Sequence, residues 1–431
     1  MPFEKKDRDA TEPSSYRPIS LLNCDQKLIT KILATRLNKH VASLIHSDKT
    51  GFVPGRFSFF NSRRLLNILY SNQSQRSKAA VLSLDAEKAF DRIEWSYMFS
   101  VLDQFGFGEN FKLLMKMLYS SPKSAILTNS DRSAFFPLQR GTRQGCCLSP
   151  LLFDLALEPL AIHLRNHSGI RGISCGRAEV KLSLYADDLL LYLSDPSSAL
   201  PLLMESLEVF GSFSGYSVNW EKSVFMPLGQ GLDAQFLKSL AFRITEYHFS
   251  YLGLVIPKNC KNIFSLNFTQ AINKLKISID KWRVLPLSLI GRVNAIKMVS
   301  LPRFIYLFQN LPIYMPHSFF KQLDSVILTF IWGFKAHRIS KAHLQKPKKL
   351  GGLALPVFRH YYWAANARTM MFWRISNQAA DHLMDTHPKW LYFEARSVVG
   401  SSLATILFSN PVSLRKLQCN NFVVLSSIRI L

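Results

Sequence analysis

The sequence predicts an α+β unit over about residues 1–260, followed by a basic and mostly helical region. Three observations support this. Short apolar strands alternate with helical patterns in the first part, and one apolar stretch there can fold back on itself as a hairpin. From about residue 265 the chain changes to helices rich in Lys and aromatic residues. With 431 residues, 48% of them hydrophobic, the chain can build more than one core.

The first elements follow from local patterns. Residues 28–45 place apolar side chains at helical spacing, and GFVPGR at 51–56 interrupts them with two glycines and a proline. AAVLSLDAEKAFDRIEW at 79–95 reads as a short apolar strand that ends at Asp85 and leads into a helix. This order of strand, carboxylate and helix predicts a carboxylate exposed at the edge of a sheet.

The next elements complete the first part. We expect an amphipathic helix near 97–118 and, within 135–164, a glycine-punctuated turn that opens a long helix. KLSLYADDLLLYL can pair its second half with its first as a hairpin, and a helix fits 197–214. Two strand-like pieces follow, GYSVNWEKSVFMPLG and FSYLGLVIP, before a break at PKNCKNIF, residues 257–264.

The charge of the chain points to a polyanionic partner. The net charge is +24, and residues 261–431 carry 23 Lys and Arg against 5 Asp and Glu, whereas residues 1–260 are nearly balanced. Such a surface favours nucleic acid, with a ribosome-like or membrane-surface protein as the alternative. The six cysteines form no zinc-type pattern, and we expect reduced thiols, an intracellular location and no membrane anchor.

Two adjacent carboxylates, Asp187 and Asp188, lie in the apolar stretch LSLYADDLLLYL. Burial of unpaired carboxylates costs several kcal/mol, so a positive charge is needed beside them. Asp85 is a third carboxylate at the end of its own apolar strand. Three such groups at the ends of neighbouring strands would hold two divalent cations for phosphoryl transfer, and Mg²⁺ suits oxygen ligands. The alternative is a charged hairpin tip in a surface loop.

These motifs resemble those of reverse transcriptases from non-LTR, LINE-type retrotransposons. YADD at 185–188 looks like polymerase motif C, and DAEKAFDRI at 85–93 looks like motif A. The other motifs occur in the family's order: fingers segments at 14–37 and 48–56, motif B at 143–161, motif D at 215–223 and the primer-grip motif E at 249–253. The resemblance extends to about residue 375.

The resemblance implies a right-hand polymerase fold. Partial fingers and an antiparallel palm sheet would occupy residues 1–260, a helical thumb and post-thumb nucleic-acid-binding region residues 261–375, and a tail of uncertain role residues 376–431. The implied activity is RNA-directed DNA polymerisation. An RNA template, a DNA primer and dNTPs would be the partners, two Mg²⁺ ions (or Mn²⁺) the cofactors, and the nucleus or cytoplasm the location.

The resemblance also assigns roles to single residues. Asp85, Asp187 and Asp188 would hold the metals, with the carbonyl of Ala86 as an extra ligand. Phe90 takes the position of the steric gate that excludes a 2′-hydroxyl, although helical spacing alone would make it an ordinary core aromatic.

The remaining assignments concern substrate and primer. Arg17 would contact the incoming triphosphate, with Lys27 a weaker candidate. Gln144 and Gly145 would form the turn beside the nucleotide sugar. Lys222 would donate a proton to the pyrophosphate, unless it is a surface lysine. A second turn, which would position the primer 3′ end, is formed by Tyr251, Leu252 and Gly253.

Some features depart from the family pattern. Cys147 stands where these proteins commonly have the proline of GCPLSP, and YADD replaces the more usual FADD. The chain starts within the fingers pattern and shows neither the endonuclease nor the C-terminal cysteine-rich knuckle of such elements. The alternative function is therefore an inactive truncated fragment that only binds nucleic acid. A group II intron maturase is a rival within the polymerase class.

Overall fold

The computed structural model describes residues 2–4, 11–12, 16–70, 78–128, 131–175, 178–377, 388–410, 413–414 and 417–430. The chain forms two compact units, each discontinuous in sequence. The first comprises Met1–Phe57, Ser77–Ser174 and Glu179–Ile244, and the second comprises Ser58–Arg76, Cys175–Ala178 and Thr245–Leu431. The domains predicted at 1–260, 261–375 and 376–431 stay predictions, because compact packing does not test which region acts as a palm or a thumb.

The first unit mixes helices and strands, which confirms the predicted α+β class. Its helices are Cys24–Leu37, Val41–Leu44, Ala89–Arg92, Trp95–Gln104, Glu109–Leu118, Ser149–Asn166, Pro196–Ser214 and Ala234–Ser239. Its strands are Pro2–Glu4, Tyr16–Pro18, Ala80–Leu84, Lys123–Ser124, Leu127–Thr128, Asp131–Arg132, Phe136–Pro137, Leu182–Tyr185, Asp188–Leu193, Val224–Pro227 and Arg243–Ile244. Two short strands, Ile173–Cys175 and Ala178–Val180, span the division between the units.

A five-stranded sheet is the centre of the first unit. Its strand order is Leu182–Tyr185, Asp188–Leu193, Ala80–Leu84, Val224–Pro227 and Arg243–Ile244. The first four strands pair antiparallel and only the last pairs parallel. The predicted hairpin is confirmed, because Leu182 pairs with Leu191 and Tyr185 with Asp188. We call the segment Leu182–Leu193 the YADD hairpin.

Alternation along the strands fixes which side chains enter the core. Leu82 and Leu84, two residues apart, join one buried cluster with Leu189, Leu191 and the inward side chains of the helices. Three helices close this core by packing on one another: Trp95–Gln104, Ser149–Asn166 and Pro196–Ser214. The core therefore holds the strand ends of the sheet rigidly in place.

Two predicted helices are interrupted in the structure. The pattern at 28–45 forms Cys24–Leu37 and Val41–Leu44, with a break at residues 38–40. The single helix predicted near 97–118 is wrong, since Trp95–Gln104 and Glu109–Leu118 are separate. Gly106 lies in the break with a φ of 73°, a left-handed conformation that favours glycine and ends the first helix.

The second unit is mostly helical, as predicted for the chain after residue 265. Its helices are Ser58–Leu69, Cys260–Asn262, Ser265–Thr269, Gln270–Arg283, Leu289–Ala295, Ile296–Ser300, Leu301–Asn310, His317–Ile331, Lys341–Gln345, Lys348–Leu350, Phe358–Met370, Met371–Asn377, Lys389–Arg396, Leu403–Leu407 and Phe422–Ile430. Its strands are His248–Tyr251, Leu254–Pro257, Val398–Val399 and Gln418–Cys419. None of the helices in the described ranges is long and apolar enough to cross a bilayer.

A buried ion pair joins distant segments within the second unit. Arg63 of the Ser58–Leu69 helix donates from Nε and Nη2 to Glu394, at 2.5 and 3.0 Å. Glu394 also accepts from Trp373 Nε1 at 2.8 Å and from Asn67 Nδ2 at 3.1 Å, so its charge is well compensated although fully buried. The residues after 388 are thus an integral part of this unit.

Candidate active site

The three predicted carboxylates lie at one edge of the sheet in the first unit. Asp85 directly follows the strand Ala80–Leu84, and Asp188 begins the strand Asp188–Leu193. Leu84 pairs with Leu189 in an antiparallel ladder, so Asp85 and Asp188, one residue further along, lie opposite each other at the end of the two strands. Asp187 lies in the two-residue turn before Asp188, and all three side chains are half-buried.

The turn of the YADD hairpin is strained, and the segment of residues 48–51 packs against it. Ala186 has a φ of 54°, a left-handed conformation that is unfavourable for a residue with a side chain. Main-chain hydrogen bonds tie the segment before Gly51 to the hairpin: Leu184 N donates to Asp48 O, and Thr50 N donates to Leu184 O, both at 3.0 Å. A side chain at Gly51 would overlap the main-chain nitrogen of Ala186, so only glycine fits beneath the turn.

Negative charge accumulates among the carboxylates. Burial, reinforced by the charges of Asp187 and Asp85, raises the pKa of Asp188 to about 7. The hydroxyl of Tyr216 lies fully buried near the same groups, and its pKa is also raised by burial and by all three carboxylates. The site therefore has an excess of negative charge that its own residues compensate only in part.

Lys222 brings a positive charge to this site. Its Nζ lies 3.4 Å from Asp85 Oδ2, while the side chain stays about half exposed. The segment around it is fixed to Asp85 by two hydrogen bonds, from Asn219 N to Asp85 O at 2.7 Å and from Asp85 N to Ser223 Oγ at 3.2 Å. Ala86, which is buried, pairs with Val218 of the same segment.

The side chains do not converge on a ready metal site. Within the part of the chain that the structure describes, no group of three or more His, Cys, Asp or Glu side chains is arranged so that it could hold a metal ion. The backbone brings Asp85, Asp187 and Asp188 to one edge, but their predicted role as metal ligands stays a prediction.

Phe90 packs on the core while remaining half exposed. Its ring stacks on Phe153, with the centroids 4.5 Å apart and the planes 24° apart, and meets Phe52 edge-on at 6.5 Å. The stack suits both interpretations of the sequence, because a gate must be held rigidly and a core aromatic must be packed. Its gating role stays a prediction.

Gln144 and Gly145 form the predicted turn. Gln144 Nε2 donates to both carboxylate oxygens of Asp91, at 3.2 and 3.1 Å, and its main-chain oxygen accepts from Ser20 N at 2.8 Å. Gly145 has a φ of 102°, and a Cβ there would lie 3.2 Å from Ser20 O. The close backbone approach therefore requires glycine at this position.

The remaining predicted site residues are those for the triphosphate and for the primer. Arg17 belongs to the strand Tyr16–Pro18, but its side chain lies outside the described residues. Lys27 is exposed on the helix Cys24–Leu37. In the second unit, Leu252 and Gly253 connect the strands of a hairpin with φ values of 49° and 74°, and the buried Tyr251 precedes them. The predicted turn is confirmed, and its contact with a primer stays a prediction.

A family model described as "Reverse transcriptase (RNA-dependent DNA polymerase)" matches residues 3–256, more than half of the chain. The chain belongs to the reverse transcriptase family. The match includes the carboxylates, Phe90, Gln144 and the hairpin of Tyr251.

Curated relatives place this reverse transcriptase among the LINE-type, non-LTR retrotransposon proteins. It is 31% identical over 352 residues to the "Transposon TX1 uncharacterized 149 kDa protein" of Xenopus laevis, covering 80% of this chain and 26% of the relative. It is 32% identical over 220 residues to a Pol polyprotein of retrotransposable element R2 from Popillia japonica, covering 51% and 30%. The chain thus spans under a third of each of these relatives.

Solved structures include a telomerase. The alignment with the apo telomerase of Candida tropicalis covers 85% of this chain and 61% of the telomerase chain. The two are 11% identical in sequence, and the TM-score is 0.41.

Sequence reasoning missed a buried ion pair beneath the reverse transcriptase site. Lys49 Nζ lies 3.0 Å from Asp154 Oδ1 and donates to the Asp154 main-chain oxygen at 2.9 Å, with both side chains fully buried. Lys49 also lies 5.8 Å from the ring centroid of Phe153, which stacks on Phe90. Asp154 occupies the helix segment SPLLFDLALEPL, in which Glu158 is the one other charged residue, and a carboxylate among so many apolar side chains was the available signal.

Proposed function

We propose that the chain is the polymerase part of a LINE-type retrotransposon protein and extends a DNA primer on an RNA template with dNTPs. One observation carries the proposal: the register of the sheet brings Asp85, Asp187 and Asp188 to one edge, where burial and the charges of Asp187 and Asp85 raise the pKa of Asp188. In this proposal residues 1–260 supply partial fingers and the palm of a right-hand polymerase, and residues 261–375 supply the helical thumb and post-thumb region.

The chemistry of the carboxylates fits magnesium. Their oxygens are hard ligands, and burial together with the neighbouring carboxylates raises the pKa of Asp188, so a bound cation would stabilise its charged form. We propose that Asp85, Asp187 and Asp188, with the Ala86 carbonyl, hold two Mg²⁺ ions, with Mn²⁺ as the alternative, after side-chain rearrangement. When bound, such ions supply activation of the attacking oxygen and stabilisation of the leaving group.

The protein's own groups bind and orient the other reactants. Lys222, with an ammonium already at the site edge, would donate a proton to the departing pyrophosphate. Phe90 would exclude ribonucleotides, and Arg17 would bind the triphosphate. Gln144 and Gly145 would contact the sugar side of the nucleotide.

The second unit would hold the nucleic acid. Its hairpin turn at Tyr251, Leu252 and Gly253 would position the primer 3′ end, and its excess of Lys and Arg would bind phosphates. A working site inside the cell, in the nucleus or the cytoplasm, where template RNA and target DNA are found, is part of the proposal. Localisation of a fluorescent fusion of the chain would test it.

Primer extension on poly(rA) with an oligo(dT) primer and Mg²⁺ tests the activity. We expect Asp188→Asn and Asp187→Asn to lower the extension rate at least about a thousandfold, or about 4 kcal/mol of transition-state stabilisation, with RNA binding retained. Asp195→Asn is the matched control, because Asp195 is an exposed carboxylate just beyond the same hairpin and bonds Ser198. Equal rates for Asp188→Asn and Asp195→Asn would refute the assignment.

The high positive charge supports a second candidate, a fragment that only binds nucleic acid. Residues 261–431 carry 23 Lys and Arg against 5 Asp and Glu. Wild-type protein that binds RNA with a steep salt dependence, yet extends no primer under any metal condition, would favour this function over polymerisation.

A further inference from the structure

Hydrogen bonds join the segment around Phe90 to the segment that carries Gln144. Thr142 donates from its main-chain N, at 2.6 Å, and from Oγ1, at 3.2 Å, to the carbonyl of Phe90. Gly141 N donates to Ile93 O at 2.8 Å, and Trp95 Nε1 donates back to Gly141 O at 2.9 Å. The two segments therefore form one rigid piece, and a side chain on one can fix a side chain on the other.

The contact between Asp91 and Gln144 allows only one orientation of the amide. A carboxylate accepts hydrogen bonds, and only the NH₂ end of a glutamine side chain donates them. Since Nε2 lies 3.2 and 3.1 Å from the two oxygens of Asp91, the Oε1 end must point away from Asp91. Within the described chain Oε1 receives no hydrogen bond, so an acceptor is left available on the side of the Gln144 amide that faces away from Asp91.

We propose that Asp91 is a positioning residue for nucleotide selection, which rests on the proposed polymerase function. By holding the NH₂ group of Gln144, Asp91 makes the site present an acceptor and not a donor to the sugar of the incoming nucleotide. The sugar of a dNTP carries one hydroxyl, at C3′, and that hydroxyl donates well to an amide oxygen. The Asp91 and Gln144 pair therefore selects nucleotides that have a 3′-hydroxyl.

The choice of aspartate at position 91 matters for this selectivity. An asparagine there offers both a donor and an acceptor, so the amide of Gln144 would adopt either orientation and present its oxygen only part of the time. A leucine would leave Gln144 without a fixed partner. A merely structural brace would instead change the stability of the chain while leaving the preference between nucleotides untouched.

Competition between dTTP and ddTTP tests the proposal. Nucleotide affinity is measured on poly(rA) with a dideoxy-terminated oligo(dT) primer, which binds without turnover, and kcat/KM is measured with an extendable primer. We expect wild type to bind dTTP about tenfold more tightly than ddTTP, the value of one hydrogen bond. Asp91→Leu and Gln144→Leu should lower that ratio to about one, and the double variant should lower it no further. Asp91→Asn should give an intermediate ratio.

The matched control is Glu94→Gln. Glu94 pairs with Arg140 at 3.2 Å and so links the same two segments without touching Gln144. It should keep the wild-type ratio. An active Asp91→Leu variant with an undiminished dTTP preference would overturn the inference and leave the polymerase function standing. Wild type that neither binds nor incorporates dNTPs would overturn both.

Discussion

The ion pair between Lys49 and Asp154 makes a strong prediction about the support beneath the YADD hairpin. Lys49→Met keeps the length of the side chain and removes its charge, which leaves the Asp154 carboxylate in a site with no exposure to solvent. Lys49 Nζ lies 3.0 Å from Asp154 Oδ1, and Glu158 of the same helix adds a repelling negative charge. The substitution therefore leaves the negative charge of Asp154 buried without its paired cation.

The expected cost follows from burial. Removing one partner of a buried ion pair typically destabilises a protein by about 3–5 kcal/mol, because the remaining charge loses its compensation. Domains are stable by only about 5–15 kcal/mol, so we expect the first unit to be severely weakened. The double variant Lys49→Met with Asp154→Leu removes both charges and should recover to within about 2 kcal/mol of wild type.

The defect should also depend on pH. Burial raises the pKa of the Asp154 carboxyl to about 6, while the Lys49 charge lowers it, so Lys49→Met raises that pKa further. A carboxyl whose pKa is higher in the folded state binds protons more tightly there, and stability falls as pH rises through that range. The cost of Lys49→Met should therefore be larger at pH 8 than at pH 5.

Urea unfolding at pH 5 and pH 8 checks the prediction, together with primer extension. Asp48 and Thr50, the residues on either side of Lys49, bond Leu184 of the YADD hairpin, so extension should be lost and regained with stability. A single variant within 1 kcal/mol of wild type at pH 8, or a double variant as unstable as the sum of the two single variants, would refute the reasoning.

Three other predictions follow from the same contacts. Phe90→Val, which loses the stack on Phe153, should raise ribonucleotide use at least about tenfold in primer extension, and an unchanged preference would exclude the gate. Glu394→Gln leaves Arg63 buried without a counter-charge and should cost about 3–5 kcal/mol in urea unfolding, so a loss below 1 kcal/mol would contradict the pairing. In EDTA, Asp188→Asn should be more stable than wild type at pH 8, by up to about 4 kcal/mol, because the raised pKa of Asp188 marks a cost that is present above pH 7. Thermal unfolding should show the difference shrinking as pH falls from 7 to 4, and a destabilised variant at pH 8 would rule this out.

Local patterns in the sequence were sufficient for much of the site. An apolar strand that ends at Asp85, and a hairpin centred on Asp187 and Asp188, follow from period-two alternation and from the charges that interrupt it. Gly145 and Gly253 mark turns because glycine tolerates the positive φ found at both positions.

Contacts between distant segments had no such local signal. The helix Ser58–Leu69 lay inside the predicted domain 1–260, yet it packs in the second unit, where Arg63 bonds Glu394 across 331 residues. The break at Gly106 was visible as FGFG, but the amphipathic spacing on both sides suggested one helix.

The sequence by itself determined the family, through the order of its motifs. It also determined the strand and hairpin that carry the carboxylates and the turns that need glycine, because each of these depends on neighbours within a few residues. Tertiary structure alone decided which charges meet. Lys49 reaches Asp154 across 105 residues and Gln144 reaches Asp91 across 53, and in both cases the partner is chosen by how the backbone packs and not by any local pattern. Burial at the first contact then sets the pKa of the Asp154 carboxyl, and the Asp91 carboxylate at the second sets the orientation of the Gln144 amide.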